Sequence, residues 1–499
     1  MPGAVNILSI PNELLGQIFD AVEEKASLAA AARTCHGLRD FAEARLYSYL
    51  KLETREALEV LGKLVKSRPQ RAGFLRLLDL VFATPDYDND RVGVTTAATL
   101  TSYPNIRSLT IESPRCNARS REEPSEWGTD WPADMAFYQE LFESASLLSE
   151  PSVKGGPFQN LTSLTLHWSG ATDRTWYTTP SCPVFLMPNL ERLELSCVVV
   201  RYTERDRELQ RFEGKTNLKA LMFTQSIVDS DSLDTLLRLP KELLCLELYE
   251  AAGLMEGVWP RHQPIRLSSN SVRQLLLSIQ SLRLPSDLSM PYFELDLSAL
   301  PSLESLQAGP FVGSFHGRRK RRWPLVGQLP RNLAFLRLSG FDARAISRSN
   351  TILSDFRIED LLSNREGDGR RLSIILDMTI PHPSGQHRQS WHWRNRMRAM
   401  IEEFAMSIGE LQPSKEEAGL GKGEECGFEL QVTTARQVRF VPPYLYREKR
   451  PQRVVRYCSS RPEHDRFLAR PCFEETGLPE DEADLHEQDT NVIEMFAIE

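Results

Sequence analysis

The chain has 499 residues, 41% of them apolar and 26% charged, which is enough apolar content for most of its length to fold. Its formal charge of −8 is set by residues 473–499, which hold ten acidic groups and no Lys or Arg and leave the other 472 residues at +2. A body that close to neutral argues against nucleic acid and against a membrane surface as partners recognised by bulk charge. The eight cysteines (35, 116, 182, 197, 245, 426, 458 and 472) form no Cys-x-x-Cys pair. No stretch reaches 18 apolar residues and no basic-then-apolar leader opens the chain, so a reduced, soluble, intracellular protein is expected, cytoplasmic and/or nuclear.

The first expected elements lie between Ile10 and Leu50. The opening Ile10-Pro11-Asn12-Glu13-Leu14-Leu15-Gly16-Gln17-Ile18-Phe19 places proline where a helix has no use for its N–H. At 100° per residue Leu14, Leu15, Ile18, Phe19 and Val22 share one arc of about 140°. Ser27 is expected to cap a second helix, Leu28 to Cys35, whose alanines permit close packing. Gly37 is read as its break, and Leu38, Phe41, Ala42, Arg45 and Leu46 space out a third helix. Three helices in some 40 residues bury little apolar surface, so such a unit calls for a partner.

The order of these residues resembles an F-box. The family phrase Leu-Pro-x-Glu-Leu-Leu-x-x-Ile-Phe matches Ile10 to Phe19, with Ile10 for Leu, and a small-residue helix ending near Cys and followed by a bulky anchor matches Ala29 to Leu38. The family often has Arg where His36 stands and Trp where Leu38 stands. The resemblance implies docking on the Skp-type adaptor of a cullin–RING ubiquitin ligase, through Ile10, Pro11, Leu14, Leu15, Ile18, Leu28, Cys35 and Leu38.

Leu52 to Val65 reads as a further helix ending before Pro69. From Leu75 onward, apolar residues recur at i, i+3 and i+5: Leu75/Leu78/Leu80, Ile106/Leu109/Ile111, Leu161/Leu164/Leu166, Leu190/Leu193/Leu195, Leu218/Leu221/Phe223, Leu243/Leu246/Leu248, Val272/Leu275/Leu277, Leu303/Leu306/Ala308 and Leu333/Leu336/Leu338. The starts are separated by 31, 55, 29, 28, 25, 29, 31 and 30 residues. The long step fits two repeats, one hidden by the polar insertion Ser113 to Ala133. An apolar-Pro-polar phrase precedes several strands, as at Tyr103-Pro104-Asn105 and Met187-Pro188-Asn189. This spacing is that of a leucine-rich-repeat solenoid. The Asn or Cys expected eight residues after the first Leu is replaced (Ser169, Val198, Ser226 among others), so the repeats are degenerate. The whole resembles fungal-type F-box proteins with leucine-rich-repeat-like bodies.

Leu372 to Leu376 and Gln431 to Phe440 read as strands, Trp391 to Leu411 as a capping helix, and Arg436 to Arg456 as a basic segment. The expected fold class is therefore α/β: a three-helix F-box (1–50), an irregular leucine-rich-repeat-like α/β solenoid (51–390, with an insertion near 113–160), a C-terminal capping segment (391–472) and an acidic tail (473–499) of disordered composition.

No catalytic or cofactor motif stands out. Gly214-Lys215-Thr216 has Leu209 where a phosphate loop needs its first Gly, and neither Cys458/His464/Cys472 nor His382/His387/His392 has a zinc spacing. No metal and no cofactor are expected, and the chain is read as a non-catalytic subunit. With the i+3 and i+5 residues pointing inward, positions i+2, i+4 and i+6 define a concave face. It includes Glu112, Ser163, Thr165, His167 and Gln307, and its target-binding candidates are Arg192, Glu194, Met222, Glu247, Tyr249, Leu276, Phe335 and Arg337. The densest charge run, Arg318-Arg319-Lys320-Arg321-Arg322, is expected in an exposed loop, as solvated surface, an import signal or a clamp for an anionic target segment. The function expected from the resemblance is target recognition in an SCF-type ubiquitin ligase, with the adaptor, cullin, RING subunit and an unidentified target as partners. The alternative is a ligase-independent F-box scaffold.

Overall fold

A computed structural model gives the structure of the protein and describes residues 7–81, 99–112, 131–149, 158–167, 176–196, 198–224, 226–249, 278–284, 295–296, 300–308, 311–315, 318–322, 325–326, 330, 332–342, 372–380, 428–436 and 454–458. The chain divides into two compact units, residues 1–245 and 246–499.

The first unit opens with three helices, α1 (Asn12–Asp20), α2 (Lys25–Thr34) and α3 (His36–Leu46). Phe19, Leu28, Ala42 and Leu46 form their common core, and Ala29, Ala31, Ala32, Leu38 and Phe41 pack against it. The rings of Phe19 and Phe41 stack at 6.3 Å. Helix α2 starts at Lys25, earlier than expected, because Ser27 does not cap it: Ser27 Oγ donates back to Glu24 Oε2 at 2.6 Å. The break between α2 and α3 falls at Cys35, whose backbone is extended (φ −157°, ψ 161°), and Gly37 lies inside α3.

The elements that follow are β1 (Tyr49–Leu52), α4 (Arg55–Ser67), β2 (Leu77–Val81), β3 (Ser108–Glu112), α5 (Trp131–Ser144), β4 (Ser163–His167), β5 (Trp176–Thr178), β6 (Arg192–Ser196), β7 (Val198–Val200), β8 (Ala220–Thr224), β9 (Ile227–Val228) and α6 (Ser230–Arg238). Strands β1, β2, β3, β4, β6 and β8 lie side by side in that order, all parallel, while β5, β7 and β9 make a second parallel sheet. Parallel neighbours need a crossover between them, and the chain supplies one turn of structure per strand. The i, i+3 and i+5 residues of every described repeat are buried, and the register puts Leu50, Leu78, Leu109, Leu164, Leu193 and Leu221 in one row.

Two polar ladders lock successive turns. The carbonyls of Ser48, Arg76, Arg107, Thr162, Glu191 and Lys219 each accept two N–H groups from the next turn, at 2.7–3.0 Å. The asparagine before the first apolar residue of a repeat donates its carboxamide to the preceding turn: Asn105 to Gly73 O (2.9 Å), Asn160 to Pro104 O (3.0 Å) and Asn189 to Gln159 O (2.8 Å). The position eight residues after the first Leu also bonds backbone in one repeat. Ser226, which stands at that place, donates to Thr224 O and accepts from the Val198 N–H.

Two strand assignments differ from the expected spacing. Tyr49–Leu52 is a strand because its backbone pairs with β2, so helical structure begins only at Arg55, capped by Thr54 Oγ1 accepting from the Ala57 N–H. The 55-residue step is one repeat and not two, since β3 pairs directly with β4. The insertion contributes α5 instead, whose Phe142 packs on Phe158 with ring centroids 5.9 Å apart. Phe158 is buried with φ +62°, a conformation rare outside glycine, and its carbonyl accepts the Leu161 N–H where β4 is entered.

Strand β10 (Cys245–Tyr249) spans the division in sequence between the units. In the second unit β11 (Ser281–Arg283), β13 (Ser305–Ala308), β17 (Phe335–Asp342), β18 (Leu372–Ile380) and β19 (Phe428–Arg436) run parallel in chain order, and β20 (Val454–Cys458) closes antiparallel on β19. A parallel pair, β12 (Leu295–Asp296) with β16 (Leu325–Val326), and a hairpin, β14 (Phe311–Phe315) with β15 (Arg318–Arg322), lie outside that ladder. Asn332 repeats the asparagine contact, donating to Pro301 O at 2.9 Å. The strand beside β13 carries Ile279/Leu282/Leu284, not Val272/Leu275/Leu277; both triplets fit the spacing, and pairing of Ser281 with Ser305 selects the later one. Trp391 to Leu411 lies outside the described residues. The structure is thus α/β, and each unit carries a mainly parallel sheet whose strands follow chain order.

Candidate functional site

Helix α1 sorts its apolar residues onto two sides. Pro11 stands just before it, with its carbonyl accepting the N–H groups of Leu14 and Leu15 at 3.0 Å each. Leu15 and Phe19, four apart, are the buried residues of α1, and Phe19 belongs to the three-helix core. Leu14 and Ile18, also four apart, point away from it and stay 48% and 44% exposed. Ile7 and Leu8, in a 3-10 turn just upstream, are 45% and 46% exposed. Pro11 is exposed, and Ile10, Cys35 and Leu38 are half-buried. Leu15 and Leu28, expected at the adaptor, are instead core, at 2% and 3%. The arc of about 140° is wider than the core needs, so it is divided between core and surface.

Behind this face, Glu43 of α3 is buried and accepts from Arg71 Nε at 3.0 Å and from Arg71 Nη2, with Arg68 Nη1 at 3.5 Å. The hydrogen bond to Glu43 raises the Arg71 pKa still further, so the guanidinium keeps its charge although partly buried. Arg71 also lies over the Tyr47 ring, 5.1 Å from its centroid.

The second candidate is the sheet face carrying positions i+2, i+4 and i+6. In the first unit Arg192 is exposed and paired with Glu194 (3.3 Å), next to the hydroxyl pairs Ser108/Ser163 and Thr110/Thr165 in neighbouring strands. Met222, expected in water, is buried at 8%. So are Glu112, Thr165 and His167; the register sets Glu112, His167 and Ser196 side by side at the strand ends, where they form part of the interior. Tyr49 and Leu77, adjacent in register at the edge of the same face, are exposed, and the Tyr49 hydroxyl donates to Asp79 (2.9 Å). In the second unit Glu247 pairs with Arg283 at 3.2 Å, and Arg283, Gln307 and Arg337 are in one register row, with half-buried Phe335 two residues before Arg337. The Tyr249 side chain and Leu276 lie outside the described residues.

The basic run is not a loop. Arg318–Arg322 is strand β15, paired antiparallel with Phe311–Phe315, whose uncharged segment satisfies its backbone donors and acceptors.

A cavity of about 310 Å3 is lined by Tyr202, Asp206, Leu209, Glu213, Asp231 and Arg238 among others. Its charges are largely spent on structure: Asp206 accepts from Thr203 and Ser181, and Arg238 pairs with Glu213 at 3.5 Å. Burial pushes the Cys182 thiol up to about 11, which keeps it protonated and a poor nucleophile. Among the described residues no group of three His, Cys, Asp or Glu could hold a metal ion, and no helix is long and apolar enough to cross a membrane.

Sequence reasoning missed Ile7 and Leu8, since a two-residue apolar pair before a proline carries no periodicity. It also missed Tyr49, which shares that face only because β1 is a strand, and Leu77, although Leu77 stands at the i+2 position of the Leu75 repeat. No protein-family model matches the chain, and a comparison with curated proteins finds no match.

Proposed function

We propose that the chain is the target-recognition subunit of an SCF-type ubiquitin ligase, docking on a Skp-type adaptor through its N-terminal helices and presenting a target on a leucine-rich-repeat-like sheet face. The observation that carries this is the division of α1. In the phrase that resembles an F-box, Leu15 and Phe19 are buried while Leu14 and Ile18 remain half-exposed on the other side, available to a partner. Burying each is worth roughly 1.5–3 kcal/mol. The adaptor-facing set is Ile10, Pro11, Leu14 and Ile18. In this reading no residue of the chain does covalent chemistry; it holds a target near a charged conjugating enzyme carried elsewhere in the complex.

Deleting residues 1–50 would be a poor test, because it removes half of β1 and the Glu43 partner of Arg71. Leu14→Asp with Ile18→Asp in the full chain spares both. Co-purification of adaptor and cullin with the wild type, lost in a double mutant of unchanged melting temperature, is the expected result. Adaptor without cullin would select a ligase-independent scaffold instead, and adaptor binding by the folded double mutant would sink the docking assignment.

A further inference from the structure

We propose that the hairpin β14–β15 is the seat of the chain's own acidic segment, residues 473–499. The inference is independent of the adaptor reading above. Strand β15 is an unbroken run of five cations, and no residue from Phe311 to Arg322 is acidic. Strand alternation puts Arg318, Lys320 and Arg322 on one face of the hairpin and Arg319 and Arg321 on the other. All five register partners are uncharged, so nothing within the hairpin offsets the repulsion between them. The hairpin is a two-stranded sheet of its own, outside the parallel ladder. A strand of this charge calls for an anionic partner.

The chain itself contains one. Residues 473–499 hold ten acidic groups and no Lys or Arg, and Glu480-Asp481-Glu482-Ala483-Asp484 is the densest part. No other five-residue window in the chain has four acids. The sheet of the second unit brings this segment within reach. Ala308, Leu338, Leu376, Val432 and Tyr457 share one register row across β13, β17, β18, β19 and β20. Ala308 ends β13, three residues before the hairpin, and Tyr457 is the last but one residue of β20. Four strand spacings separate them, about 19 Å. The 14 residues 459–472 that lead to the acidic segment can span up to about 46 Å. The segment is therefore tethered close to the cations, at a high effective concentration that a free acidic peptide would have to match.

The test is zero-length carbodiimide coupling in the full chain, which joins an amine to a carboxylate only where the two touch. Mass spectrometry of the digested product then maps the joined residues. Lys320 should be the main lysine coupled to residues 473–499. Its yield should fall about fivefold or more between about 50 mM and 1 M salt, where the Debye length shrinks to about 3 Å. Changing Arg318, Arg319, Arg321 and Arg322 to Gln, with Lys320 kept, should lower the yield by a similar factor. Changing the same four to Lys should retain it, with coupling at the new amines as well. The melting temperature should not move, because the hairpin stands outside the ladder. Should the glutamine variant lose stability, the salt dependence and the lysine variant decide. Coupling of the segment to Lys449 in place of Lys320, or full yield at 1 M salt, overturns the proposal. So do products that join isotopically labelled to unlabelled chains, which would show the segment seated on a second copy.

Discussion

Glu43 and Arg71 are joined by two hydrogen bonds, Arg71 Nε to Glu43 Oε2 at 3.0 Å and Arg71 Nη2 to Glu43 Oε1, with both side chains nearly out of solvent. Glu43 belongs to α3 and Arg71 to the turn that leads into β2, so the pair ties the N-terminal helices to the sheet of the same unit. Removing one partner of a buried pair costs about 3–5 kcal/mol when the other is left uncompensated, and because Arg68 Nη1 stays 3.5 Å from Glu43 Oε1 the lower end of that range applies here. Arg71→Ala should lower stability in urea by that order, while Glu43→Gln combined with Arg71→Met should recover part of it. Equal stability of Arg71→Ala and wild type would show that the contact does not hold the helices in place.

Met222 and Leu77 share the outer face of the first sheet but differ in exposure, 8% against 44%. Met222→Ser should cost about 2–5 kcal/mol, in the range of large-to-small changes in a core. Leu77→Ser should stay within about 0.5 kcal/mol, as surface changes do. Thermal melts of the two variants check the pair; a Met222→Ser protein as stable as wild type would restore Met222 to the target-binding surface.

The asparagine ladder predicts a position-specific cost. Asn189 donates to Gln159 O at 2.8 Å, and its removal in Asn189→Ala should cost about 0.5–1.5 kcal/mol. Asn189→Asp should cost more, since a carboxylate offers no donor and faces a carbonyl. Denaturant midpoints that rank the aspartate above the alanine variant would contradict the assigned direction of the bond.

Cys182 gives a pH signature. Burial raises its folded-state pKa to about 11 from a thiol's ordinary 9.0, so the folded state resists losing the proton. The stability this represents is fully present below the unfolded pKa and is lost as pH rises through the folded one, between about 9 and 11. Cys182→Ala should remove that portion of the alkaline loss of stability. In the native chain near neutral pH, Cys182 should resist iodoacetamide and become labelled only on unfolding; rapid native labelling would refute its burial.

The inward face of each repeat was legible in the sequence because it is a local property. Leu164 and Leu166 need only the strand period of two and their own apolarity to choose a side, and the same holds for the i+3 and i+5 residues of every set from Leu75 to Leu338 that the structure retains. The division of α1 into buried and exposed sides was half legible: the arc was visible, but Leu15 and Leu14 are chemically identical, and only the tertiary surroundings decide which one is covered. Register was settled by pairing. Ile279/Leu282/Leu284 displaced Val272/Leu275/Leu277, β3 met β4 across 55 residues, and Arg318–Arg322 became a strand, each because backbone donors and acceptors found partners, in the next turn for the first two and in the adjacent Phe311–Phe315 for the last.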